Sequence, residues 1–144
     1  MRFIHSAGIV VYKYDPITHE RLYILLQYQR GYWDFAKGKL EEGETAHDAA
    51  VREVKEETNL DVDIHSGFEE TLDYFFKDRN GMVHKYVTFF VGEALNNDVV
   101  MSWEHINFLW LPYEAALNQL NFENAKDILR KVEHFLESVK TKNK

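Results

Sequence analysis

Residues 38–60 read GKLEEGETAHDAAVREVKEETNL, and this stretch decides how the rest of the chain is understood. Thr45 with Asp48 three residues later has the form of a capping-box-like helix start. Ala46, Ala49, Ala50 and Val54 then recur at helical spacing and predict a helix with a small, close-packing apolar face. Asn59 suits the left-handed position that ends a helix, where Asn is the next choice after Gly. On such a helix Glu53, Glu56 and Glu57 fall within about 100° of arc along one edge. Three carboxylates at that spacing repel one another unless something neutralises them. A hard divalent cation does so, because oxygen donors suit magnesium or manganese. Runs such as EVKEE also occur on plain solvated faces, so the acidity alone decides nothing.

Composition sets the outer bounds. The 144 residues are 45% hydrophobic and 15% aromatic, enough for one domain, 1–144, with its own core. No apolar run reaches membrane-span length, and the start MRFIHSAGIVVYKY lacks a signal-peptide layout, so a cytoplasmic protein with no membrane partner is expected. The absence of cysteine excludes disulfides, a thiol nucleophile and a zinc-thiolate centre. Seventeen Lys+Arg against 24 Asp+Glu give a formal net charge of -7. That balance argues against a stable nucleic-acid partner, which needs a basic surface. It leaves room for a small anionic substrate held by a few local cations and metal ions.

Taken in order, FIHSAGIVVYKY (3–14) and LYILLQYQ (22–29) read as strands joined by the turn DPITHER, so 9–29 forms a hairpin. RGYWDFAKGKLEEGE reads as a loop, with Arg30, Lys37 and Lys39 directly before the acidic helix. VDI, GFEETLDYFFKD, MVHKYVTFFVGEAL and INFLWLP are further strands, with a turn at DRNG and a polar loop at NNDVVMSWEH. YEAALNQL is a short helix. From Phe122 onward a 3.6-residue period through Val139 predicts a longer one, with 137–144 expected to fray. Strands alternating with two packing helices give an α/β sandwich.

Gly38, Glu44, Arg52, Glu53, Val54, Glu56, Glu57 and Leu60 stand at the spacings of the Nudix box, with Asn59 at its second Gly. Eight positions in one register are far more specific than a lone Gly-rich pattern. The segment therefore resembles the loop–helix–loop with which Nudix hydrolases hold magnesium against a diphosphate. The resemblance implies an α/β/α sandwich with a mixed sheet between helices. It also implies metal contact by Gly38, Glu53, Glu56 and Glu57, and phosphate contact by Lys37 and Lys39, which otherwise read as solvated loop lysines.

The likeness extends beyond the box. GYWDFAKGKLEEGE, ETLDYFFKDRNGMVHKYVTFFVGEA and SWEHINFLWLPYEAALNQLNFENAKDIL look like successive parts of the asymmetric diadenosine tetraphosphate hydrolases. Carried over, Tyr74 and Phe122 sandwich a purine, as aromatic faces do without a hydrogen-bond code. An ordinary strand residue is the alternative for Tyr74, and core packing is the alternative for Phe122. Lys85 matches a polyphosphate-binding lysine, and Glu104 an acidic residue on a loop that reaches the metal. Relatives often carry Pro-Pro-Lys-Gly where this chain has Phe35-Ala36-Lys37-Gly38.

The implied reaction is attack of water on one phosphorus of a dinucleoside polyphosphate, giving ATP and AMP. Glu56 or Glu104 takes the proton. Arg52 orients Glu44 or a box carboxylate. A monomer is expected. Two rival readings are a pyrophosphohydrolase of RNA 5′-triphosphate ends or nucleoside triphosphates, and a Nudix module that binds nucleotides without cleaving them. No box carboxylate is lost, which counts against the second.

Overall fold

The computed structural model describes residues 1–142. Its elements in chain order are β1 (Arg2–Tyr14), β2 (Arg21–Tyr28), β3 (Trp33–Asp34), β4 (Ala36–Lys39), α1 (Ala46–Thr58), β5 (Val62–Ile64), β6 (Glu70–Asp78), β7 (Gly81–Ala94), β8 (His105–Pro112), α2 (Tyr113–Gln119) and α3 (Glu123–Lys142). All eight strands join one mixed sheet. β1 lies at its centre, parallel to β7 from Arg2↔Val83 to Tyr12↔Glu93, while every other pairing is antiparallel.

β1 is apolar on both faces because both faces are covered. Its period of two sends Ala7, Ile9 and Val11 into a core under α1, and Val10 and Tyr12 into a second core under α3. α1 contributes Ala49, Ala50 and Val54, all fully buried, and these small residues bring the helix close to the sheet. On the other face α3 buries Ala125, Ile128, Leu129, Val132 and Leu136 against β2 and β7. Glu133 of α3 accepts hydrogen bonds from Arg21 (3.0 Å) and the Tyr23 hydroxyl (2.7 Å), fastening that helix to β2. Helices on both faces of a mixed sheet make the expected α/β/α sandwich.

The helix boundaries follow the sequence signals. Thr45 caps α1 by accepting from the Asp48 backbone N–H, and Asn59 ends it at φ 66° with its own N–H on the Lys55 carbonyl. Three expectations change. The segment 30–44 is not all loop: Trp33–Ala36 are buried, so their backbone needs partners and pairs as β3 with β2 and as β4 with β1. The 9–29 hairpin is short, since β1 pairs with β2 only from Tyr12↔Tyr23 to Tyr14↔Arg21, and earlier in β1 the residues Ser6–Ile9 pair with β4. Gly8 permits that crossing, because a Cβ there would sit 2.3 Å from the Ala36 carbonyl oxygen. Finally, the tail expected to fray from 137 is helix as far as Lys142, and 143–144 lie outside the described residues. Among the described residues no helix is long and apolar enough to cross a membrane.

Candidate active site

α1 and β4 together carry the acidic half of the site. Gly38 sits so near Glu53 that a Cβ would land 2.1 Å from its carboxylate, so a side chain there would displace that carboxylate. Arg52 is the hub. Its Nε and Nη2 donate to the two Glu44 oxygens (2.8 and 2.9 Å), its Nη1 to Glu53 (2.8 Å) and Glu56 (3.2 Å), and Nη2 also to the Lys39 carbonyl (3.0 Å). The guanidinium therefore offsets the repulsion anticipated along the helix edge. It holds both Glu44 and the box carboxylates, where the sequence left the choice open.

Glu57 points the other way, into the protein. Its side chain is 4% exposed and lies 3.2 Å from Nε2 of His105, yet neither facing atom has a hydrogen-bond partner of good geometry. Burial pushes the Glu57 carboxyl up to about 7; His105 opposes this, while Glu53 and Glu104 add to it. Burial likewise raises Glu53, despite Arg52 beside it. His105 is braced by the Ser102 hydroxyl (3.1 Å from Nδ1) and by the edge of Tyr28, 4.3 Å between centroids. Glu104 precedes it on the loop entering β8, and its charge acts on both Glu53 and Glu57.

Glu44 behaves oppositely. The Arg52 hydrogen bonds, helped by the Glu41 N–H (2.7 Å), hold its carboxyl down at about 2. The folded pKa lies below the ordinary 4.5. The stability it contributes is therefore present above the unfolded pKa and lost as pH falls from about 4.5 through 2. In acid titrations monitored by circular dichroism, Glu44→Gln is expected to unfold with a shallower pH dependence than the wild type in that window. Parallel curves would refute the contribution.

The second half of the site is a cavity of about 470 Å³ between the sheet and the start of α3. Lys37, Tyr74, Lys85 and Phe122 line it together, joined by Tyr32 and Asp34, which the sequence reading did not single out. Tyr74 and Lys85 face each other across β6 and β7. Phe122 is 46% exposed and Tyr74 36%, so neither is a core residue. Burial works to lower the Lys37 ammonium, but Asp34 at 2.8 Å prevails and raises it. Lys85 is lowered by burial and by repulsion from Lys37 and Lys39. Lys39 itself is exposed and does not line the cavity. Asp34 was detectable as a charge three residues before Lys37, and Tyr32 as an aromatic in the same segment. Nothing local marks His105 as the partner of Glu57.

The donors suit a hard divalent ion: all are oxygens, Gly38 brings its backbone against Glu53, and Glu57 Oε2 is buried without a hydrogen-bond partner. As they stand, no three acidic or histidine side chains among the described residues converge as a metal shell. Arg52 draws Glu53 and Glu56 to itself while Glu57 turns to His105.

Strand β4 thus joins an acidic helix, met by Gly38, to a cationic, aromatic cavity, entered by Lys37, and on this sandwich that is a Nudix-type arrangement. Residues 4–132 match the family described as NUDIX domain, and the chain belongs to that family. Its members generally use divalent metal ions. The chain is 33% identical to the asymmetrical bis(5′-nucleosyl)-tetraphosphatase of Caenorhabditis elegans, over 92% of this chain and 96% of that protein. It is 31% identical to the Sus scrofa protein of the same name, with 92% and 95% covered. The crystal structure of a C. elegans Ap4A hydrolase binary complex superposes with a TM-score of 0.82 at 30% identity, covering 94% of this chain and 98% of that one.

Proposed function

We propose that this protein cleaves diadenosine tetraphosphate asymmetrically, to ATP and AMP, with magnesium as the metal and manganese as an alternative. The observation that carries the reading is the cavity in which Tyr74 and Phe122 stand with Lys37 and Lys85, reached from strand β4, where Gly38, the residue after Lys37, abuts Glu53 of the acidic helix. The relatives named asymmetrical bis(5′-nucleosyl)-tetraphosphatase support it. The same reading takes the protein as a cytoplasmic monomer with a small-molecule substrate. Its formal net charge of -7 fits the lack of a stable nucleic-acid partner.

In this mechanism Tyr74 and Phe122 hold one adenine between their faces. Lys37, kept protonated by Asp34, and Lys85 draw the polyphosphate along the cavity and stabilise charge on the leaving group. Lys39, exposed and outside the cavity lining, adds positive charge that acts on Lys85. Gly38, Glu53, Glu56 and Glu57 would hold the metal, which when bound neutralises phosphate oxygens and acidifies water. Arg52 and Glu44 fix the orientation of Glu53 and Glu56. Glu56 or Glu104 accepts the proton of the attacking water, whose oxygen forms the new bond to phosphorus as the bridging P–O bond breaks.

A substrate panel with magnesium, resolved by anion-exchange chromatography, tests this. Diadenosine tetraphosphate is expected to turn over fastest. Faster release of pyrophosphate from 5′-triphosphate RNA or from nucleoside triphosphates would replace the reading, and binding without any product would leave a nucleotide-binding module.

A further inference from the structure

Trp103 is 82% exposed, and it stands in the loop just before β8. A scattered surface apolar residue needs no explanation by itself. This one differs in how its backbone is held and in what surrounds it. Gln29 Nε2 donates to the Trp103 carbonyl (2.7 Å), Ser102 N–H to the Glu57 carbonyl (3.2 Å), Val100 N–H to the Thr58 carbonyl (2.9 Å) and His105 N–H to the Ser102 carbonyl (3.2 Å). The loop is thus tied to the end of α1 while the indole stays in solvent. Its sequence neighbours belong to the site: Ser102 binds the backbone of Glu57, and Glu104 acts on Glu53 and Glu57.

The proposed substrate carries two bases, and the cavity has aromatic walls for one. From that cavity a chain of rings runs toward the same loop: Phe122 to Tyr32 at 5.2 Å, Tyr32 to Tyr28 at 4.9 Å, and Tyr28 to His105 at 4.3 Å. The loop therefore lies at the opposite end of this run of rings from the cavity's phenylalanine, and through His105 it meets Glu57 of the carboxylate site at 3.2 Å. We propose that Trp103 is the stacking platform for the second nucleobase, an inference that rests on the dinucleoside reading. An exposed indole on a pinned backbone offers a large flat face without the cost of ordering the loop that carries it. Stacking without a hydrogen-bond code also makes this subsite tolerant, so a guanine at the distal end binds as an adenine does.

The test compares wild type, Trp103→Ala and Trp103→Phe on diadenosine tetraphosphate and on adenosine 5′-tetraphosphate, which has one base. Trp103→Ala is expected to raise KM for the dinucleoside about tenfold and Trp103→Phe to restore most of it, with little change on the one-base substrate. In a binding arm, a non-hydrolysable methylene-bridged dinucleoside analogue should quench tryptophan emission in the wild type, and that quench should vanish in Trp103→Ala. Equal KM changes on both substrates, no change on either, or a quench that survives the substitution overturns the platform. Wild type that binds the analogue with Trp103-dependent quenching but does not hydrolyse the dinucleoside upholds the platform and refutes the proposed function instead.

Discussion

Glu57→Gln is expected to lower kcat by a factor on the order of 10³ while the protein stays folded. That corresponds to about 4 kcal/mol of barrier. Glu57 is the most buried of the three box carboxylates, and the side chain it faces, His105 at 3.2 Å, is imperfectly aligned with it. A glutamine of the same shape keeps the packing and still meets His105, but a neutral amide does not replace an anionic oxygen donor. The expected signature has two parts. Turnover is expected to fall at saturating magnesium, and the rise in melting temperature that magnesium is expected to give the wild type should be lost in the variant. Near-wild-type turnover in saturating magnesium contradicts the assignment.

Tyr74→Ala is expected to raise KM for diadenosine tetraphosphate by roughly ten- to a hundredfold, within the range of one lost base–aromatic stack. Tyr74 suits this role because its strand β6 lies at the sheet edge and its ring, 36% exposed, faces the cavity and not a core. Removal should leave inorganic tetraphosphate hydrolysis nearly unchanged, since that substrate has no base. Equal losses on both substrates would mean that Tyr74 supports the cavity wall and does not hold a base.

What was legible in the sequence was what is local. The cap at Thr45, the left-handed Asn59 and the buried Ala49, Ala50 and Val54 all express a helical period within one stretch, and α1 matches them. The grouping of Lys37, Tyr74, Lys85 and Phe122 in one cavity came from the resemblance, as no local pattern relates segments so far apart. β3 and β4 were invisible because their partners lie in β1 and β2 and only pairing in the folded sheet makes them strands. For Arg52, spacing exposes Glu56 four residues on, whereas the contact with Glu44 requires the loop to fold back on the helix. The pairing of Glu57 with His105 depends wholly on how the loop before β8 returns to α1.

In the proposed asymmetric cleavage the point of attack is set by counting phosphates from a clamped adenosine and not by leaving-group chemistry. Hydrolysis of diadenosine tetraphosphate in ¹⁸O-water, with products separated and weighed by mass spectrometry, tests it most directly. Equal amounts of ATP and AMP are expected, with the label confined to one of the two. Two molecules of ADP would contradict it.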